Sequence, residues 1–155
     1  MGGLEGEIMS QIEYEVQWDD IEDEYYVDVP IGNQTLHMAF QEYDWSMDTV
    51  YFNIYMTLYS KKTQITSNET HIKSTGRNPF ATYKIALGAF KALEKECLYG
   101  FNEKYNVVIF CTWLDSRRRD VYYKVLSRFG YRYGRNIDNE KCIYKKFKKG
   151  SVYND

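Results

Sequence analysis

The chain has 155 residues, 44% hydrophobic and 27% charged, which fits one soluble globular domain. No run approaches the roughly 18–20 apolar residues of a membrane span. The first residues lack the basic and apolar regions of a secretion signal, so a cytoplasmic protein with no membrane association is expected. The net charge of −2 conceals a division: residues 1–60 carry 13 acids and no Lys or Arg, and residues 61–155 hold all 20 basic residues and the other 9 acids. Either the halves fold against each other or each faces a different charged partner. The first is expected, with the acidic half covering the basic one.

In chain order, "QIEYEVQW" (11–18) alternates and reads as a strand. An acidic turn, "WDDIEDE" (18–24), leads to a second strand, "EYYVDV" (24–29), stopped by Pro30-Ile31-Gly32-Asn33. "QTLHMAFQEY" (34–43) is a third strand, and the short connections predict antiparallel hairpins. "DTVYFNIYMTLYS" (48–60) is the clearest strand: Val50, Phe52, Ile54, Met56 and Leu58 share one face, and Tyr51, Asn53, Tyr55, Thr57 and Tyr59 the other. The polar stretch 61–77 is long for a structureless connection, so part of it extends the strand or forms a functional loop.

The period then changes. Asn78 can cap a helix, and Pro79 fits its first turn. Phe80, Tyr83, Leu87, Phe90, Leu93 and Cys97 recur at spacings of three and four, giving an amphipathic helix that ends near Gly100. "YNVVIFCTW" (105–113) is a continuous apolar run, as in a central strand. Asp115 or Ser116 can cap a second helix with Val121, Tyr122, Val125 and Phe129 inward. "YRYGR" (131–135) and "EKCIYKKF" (140–147) read as two last strands around the turn "NIDN". The tail 148–155 is expected to fray. The order β-β-β-β-α-β-α-β-β predicts an α/β or α+β domain: a mixed central sheet, two main helices and an N-terminal antiparallel strand region.

Cys97, Cys111 and Cys142 are far apart and lack CxxC spacing, so reduced, buried thiols are expected and no metal site. His37 and His71 have no metal-binding spacing. Arg117, Arg118 and Arg119 fall in the first turn of the second helix, where cations oppose the helix dipole. Their compensator is the acidic half, a nucleotide phosphate or nucleic acid.

Two segments carry a family resemblance. "TGRNPFATY" (75–83) is similar to the "TGxGNPFxVFATV"-like helix start of GNAT acyltransferase-like proteins encoded by bacteriophages, and "SRRRDVYY" (116–123) to their "SRRxLY"-like segment. Residues 48–147 resemble the GNAT core: a long strand, an acyl-CoA pyrophosphate loop at a helix start, a central strand, a second helix and a final strand pair. Residues 1–47 form an acidic strand region in place of the strand and two helices that build the usual acceptor site. The helix start has a physical logic of its own, since unpaired N–H groups and partial positive charge suit phosphate oxygens.

The resemblance implies acetyl-CoA as cofactor, held by Lys73, Gly76, Arg77, Asn78 and Phe80. Asn78 stands where the family pattern has a small residue. Tyr122 is the implied proton donor to the departing thiolate, with Tyr123 as the alternative. Two functions follow. One is an acetyltransferase acting on an unknown amine. The other is a catalytically silent phage protein, in the cytoplasm of its host, that binds a host protein, or binds nucleic acid through its basic half.

Overall fold

The structure is a computed structural model and describes residues 13–60, 65–68 and 79–153. Four strands open it: β1 (Gln17–Asp19), β2 (Glu24–Ile31), β3 (Gln34–Ser46) and β4 (Thr49–Ser60). A short β5 (Ile65–Asn68), helix α1 (Pro79–Phe101), β6 (Asn106–Cys111), helix α2 (Ser116–Leu126), β7 (Arg132–Arg135) and β8 (Lys141–Phe147) follow. The sheet runs β1-β2-β3-β4-β6-β8-β7, with β5 paired to β4. Neighbours are antiparallel except β4 and β6, which are parallel. A mixed sheet with two helices and an antiparallel N-terminal region is what the order of elements predicts.

The differences have physical reasons. Among the described residues the first strand covers only 17–19, while Tyr14 and Val16 pack on the helical side of the core. A Cβ on Gly88 would collide with the Tyr14 ring, which accounts for a glycine in mid-helix. β2 runs through Pro30 to Ile31, because the hairpin turn is Gly32-Asn33, with Gly32 at φ 61°. Pro30 is tolerated since β1 pairs only with residues 24–26, leaving that edge of β2 without a strand partner among the described residues. β3 continues to Ser46 through a bulge at Tyr43. Within 61–77, Ile65–Asn68 double back along Thr57–Ser60 rather than extending β4.

In α2, Asp115 is the N-cap, accepting from the Arg118 amide at 2.9 Å. Val121 is 55% exposed, not inward. The larger Leu126 is buried instead, with Tyr122, Tyr123 and Phe129 partly buried beside it. The tail is not frayed over 148–153. Buried Asn102 donates to the Lys148 carbonyl and accepts from the Val152 amide, and Asn106 accepts from the Lys149 amide.

Both helices pack on one face of the sheet. Phe90, Leu93, Cys97 and Leu98 of α1 and Leu126 of α2 join Val27, Val29, Phe40, Val50, Phe52, Ile109 and Ile143 in one core. The three cysteines are buried thiols and none is in a disulfide among the described residues. No helix among the described residues is long and apolar enough to cross a membrane.

Candidate functional site

The parallel pair β4 and β6 is in register from Thr49↔Asn106 to Asn53↔Phe110, and the pairing stops there, one residue before β6 ends at Cys111 while β4 continues to Ser60. Farther along, the same edge of β4 is taken by β5, from Thr57 to Ser60. Ile54, Tyr55 and Met56 therefore have no strand partner on that edge among the described residues. On the helix-covered side, Val50, Phe52 and Leu58 are fully buried, but Ile54 and Met56 between them are only half-buried. Ile85 and Ala86 of α1 are half-buried beside the same core. Beyond β6, Trp113 packs edge-on to Tyr133, and Tyr133 stacks on Tyr123 at 4.2 Å. A short gap along the edge of β4, between the end of its pairing with β6 and the start of β5, thus carries incompletely covered apolar residues and forms the fork between the two strands. Asn53, at the branch point, has a buried side-chain oxygen with no hydrogen-bond partner among the described residues.

Of the residues expected to hold a cofactor, Lys73, Gly76, Arg77 and Asn78 lie outside the described residues. The backbone of Phe80 is in the first turn of α1. Tyr122 is half-buried and packs on the core from α2, and Tyr123 is committed to its stack on Tyr133. The first-turn arginines find local partners: Arg118 lies 3.6 Å from Asp115, and Arg119 lies 3.0 Å from Asp120. These carboxylates offset the repulsion from the helix dipole. Ion pairs between the acidic and the basic half, which the expected cover would make, are sparse among the described residues. Leaving Lys84 aside, no Lys or Arg among the described residues forms an ion pair with an acid of residues 13–60.

The opposite face of the sheet carries no helix among the described residues. One row of cross-strand partners crosses it from edge to edge: Asp19, Glu24, Gln41, Asn53, Phe110, Tyr144 and Arg132. The β3 bulge aims Tyr43 over Phe110, ring centroids 5.1 Å apart, and its hydroxyl donates to Asp138 in the β7–β8 turn. This leaves Phe110 1% exposed on a face without helices.

Sequence reasoning missed a polar cluster on this face. Glu24 is 2% exposed and accepts from the Tyr55 hydroxyl at 2.5 and 2.7 Å. His37 Nδ1 lies 2.7 Å from Asp28, and its Nε2 lies 3.3 Å from Glu24 and 3.4 Å from Tyr55. Burial, then the Glu24 carboxylate, pushes the Tyr55 hydroxyl pKa up, so it stays a donor. The two imidazole nitrogens point at different carboxylates and cannot converge on one ion. No group among the described residues could hold a metal. The signal was available: a two-residue turn at 32–33 puts His37 opposite Asp28, but ending the strand at Pro30 hid that register.

Comparison with protein-family models, with curated proteins and with solved structures finds no match for this chain.

Proposed function

We propose that the chain is a GNAT-like acyl-CoA-dependent N-acyltransferase, with acetyl-CoA in the fork between β4 and β6. The observation that carries this reading is that the parallel pairing of β4 with β6 stops after Asn53 and Phe110 while β4 runs on beside α1. The edge at Ile54–Met56, without a strand partner among the described residues, offers backbone groups to the amide-bearing arm of CoA. The half-buried Ile54, Met56, Ile85 and Ala86 offer an apolar wall. The pyrophosphate would rest on the amides leading into α1, with Lys73, Gly76, Arg77, Asn78 and Phe80 around it. An amine would attack the thioester carbonyl, and Tyr122 would protonate the departing thiolate. The acidic first half suits a basic acceptor.

Acetyl-CoA at about 100 times its dissociation constant stabilises a protein by roughly 2.7 kcal/mol, which a thermal-shift assay reads directly. The proposal expects a shift that grows with concentration up to millimolar acetyl-CoA. A flat melting temperature over that range rejects it.

One observation favours a second reading, that of a silent relative binding nucleic acid. The exposed Arg117, Arg132 and Lys146 form no ion pair with an acid of the described residues 13–60. Salt-sensitive binding of a random duplex with no acetyl-CoA response would support it.

A further inference from the structure

We propose that the helix-free face of the sheet is a self-association surface, on which two copies of this chain pack face to face about a two-fold axis running along β4. The residues there are of the kind found in interfaces: Tyr43 and Tyr59 are exposed, and Tyr26, Tyr51, Tyr55 and Tyr144 are half-buried. The charge on the face is polarised across the strands. β1 to β4 contain no Lys or Arg and present Asp19, Asp28 and Asp44, while β7 and β8 present Arg132 and Lys146. Acids at both ends are hydrogen-bonded within the chain: Asp138 by Tyr43 and Glu140 by Asn136, Asp28 by His37, Asp19 by the Ile21 amide and Asp44 by the Trp45 amide.

A surface that is negative at one end and positive at the other complements itself in one orientation. An axis along β4 lays β2 of one copy over β8 of the other, and β1 over β7. Residues of one cross-strand row then stay level. Asp19 and Arg132 end the same row, so each meets the other on the second copy. Asp44, Tyr51, Val108 and Lys146 form the adjacent row. Asp44 of one copy therefore lies level with Lys146 of the other and offset sideways by one strand spacing, about 4.8 Å, across the gap between the sheets, which long side chains span. The two-fold repeats every contact, and face-to-face sheets stack with their strands roughly aligned. A nucleic acid would meet the carboxylates of β1 to β3, and a protein of one charge sign would match only half the face.

The test is sedimentation of the intact chain, whose monomer is 18.5 kDa, over a range of protein concentration and salt. The parent should dimerise, more weakly as salt rises. Lys146→Glu and Asp44→Lys, both exposed positions, should each weaken the dimer about tenfold or more, since like charges then face each other twice. The double variant should recover close to parental association. Three results overturn the proposal: a parent that stays monomeric at high micromolar concentration in low salt, a dimer indifferent to either reversal, or a double variant no better than the singles. Capture of single-stranded oligonucleotide by the parent, lost in Lys146→Glu, overturns it as well.

Discussion

On the helix-covered side, β4 contributes Val50, Phe52, Ile54, Met56 and Leu58; on the other side it contributes Tyr51, Asn53, Tyr55, Thr57 and Tyr59. The same backbone therefore supports two kinds of surface. The first is stabilised by non-directional burial against α1 and α2, where shape and volume decide. The second is held by directed bonds, in which Glu24 anchors Tyr55 and His37, and by the Tyr43 ring set edge-on against Phe110. A change on the covered face should cost in proportion to the volume lost. A change on the open face should cost according to which polar group loses its partner.

Phe52 sharpens the contrast most. It is fully buried and touches the rings of Tyr25 and Phe101. Phe52→Ala should lower unfolding stability by about 3–5 kcal/mol in denaturant titration. A loss below about 1 kcal/mol, the size common at tolerant sites, would mean this face is not the main core.

Glu24 comes next. Glu24→Ala leaves the Tyr55 hydroxyl and a His37 nitrogen without their carboxylate, which alone costs about 1–3 kcal/mol. Stability equal to the parent would show the open-face cluster to be incidental.

The smallest effect falls on a polar group inside the covered face. Glu94 of α1 accepts from the Tyr131 hydroxyl at 2.7 Å, and burial raises its carboxyl pKa above the ordinary 4.5. A raised acid binds its proton more tightly in the folded chain than in the unfolded one. Its contribution therefore favours folding at low pH and is lost as pH rises from 4.5 through the raised value. Glu94→Gln keeps an acceptor for Tyr131 and carries no charge. Thermal melts across pH should show it slightly more stable than the parent at neutral pH, with the gain vanishing below 4.5. A variant less stable at neutral pH contradicts this.

The contrast between faces also explains what could be read in advance. Period-two alternation in 48–60 and the three-and-four spacing in 79–101 identified β4, α1 and the inward set Phe90, Leu93 and Cys97, because burial imposes a period. Directed contacts leave no such trace. Asn102 and Asn106 tie down residues 148–153, yet nothing in the sequence marks Asn102, after the helix, or Asn106, at the start of the central strand, as such a tie. The bulge that aims Tyr43 depends on register, and so does the fork, because a local pattern does not say that β4 and β6 are parallel neighbours. The charge division was visible at once, yet the partners of Arg118 and Arg119 are Asp115 and Asp120 on their own helix.

The most direct measurement is a titration of the isotopically labelled protein with acetyl-CoA, followed by backbone amide chemical shifts. The proposed function expects shifts concentrated at Ile54–Met56, around Cys111 and at the start of α1, with Tyr26, His37 and Gln41 on the open face unmoved. No shifts at millimolar acetyl-CoA, or shifts centred on His37 and Gln41, would contradict it.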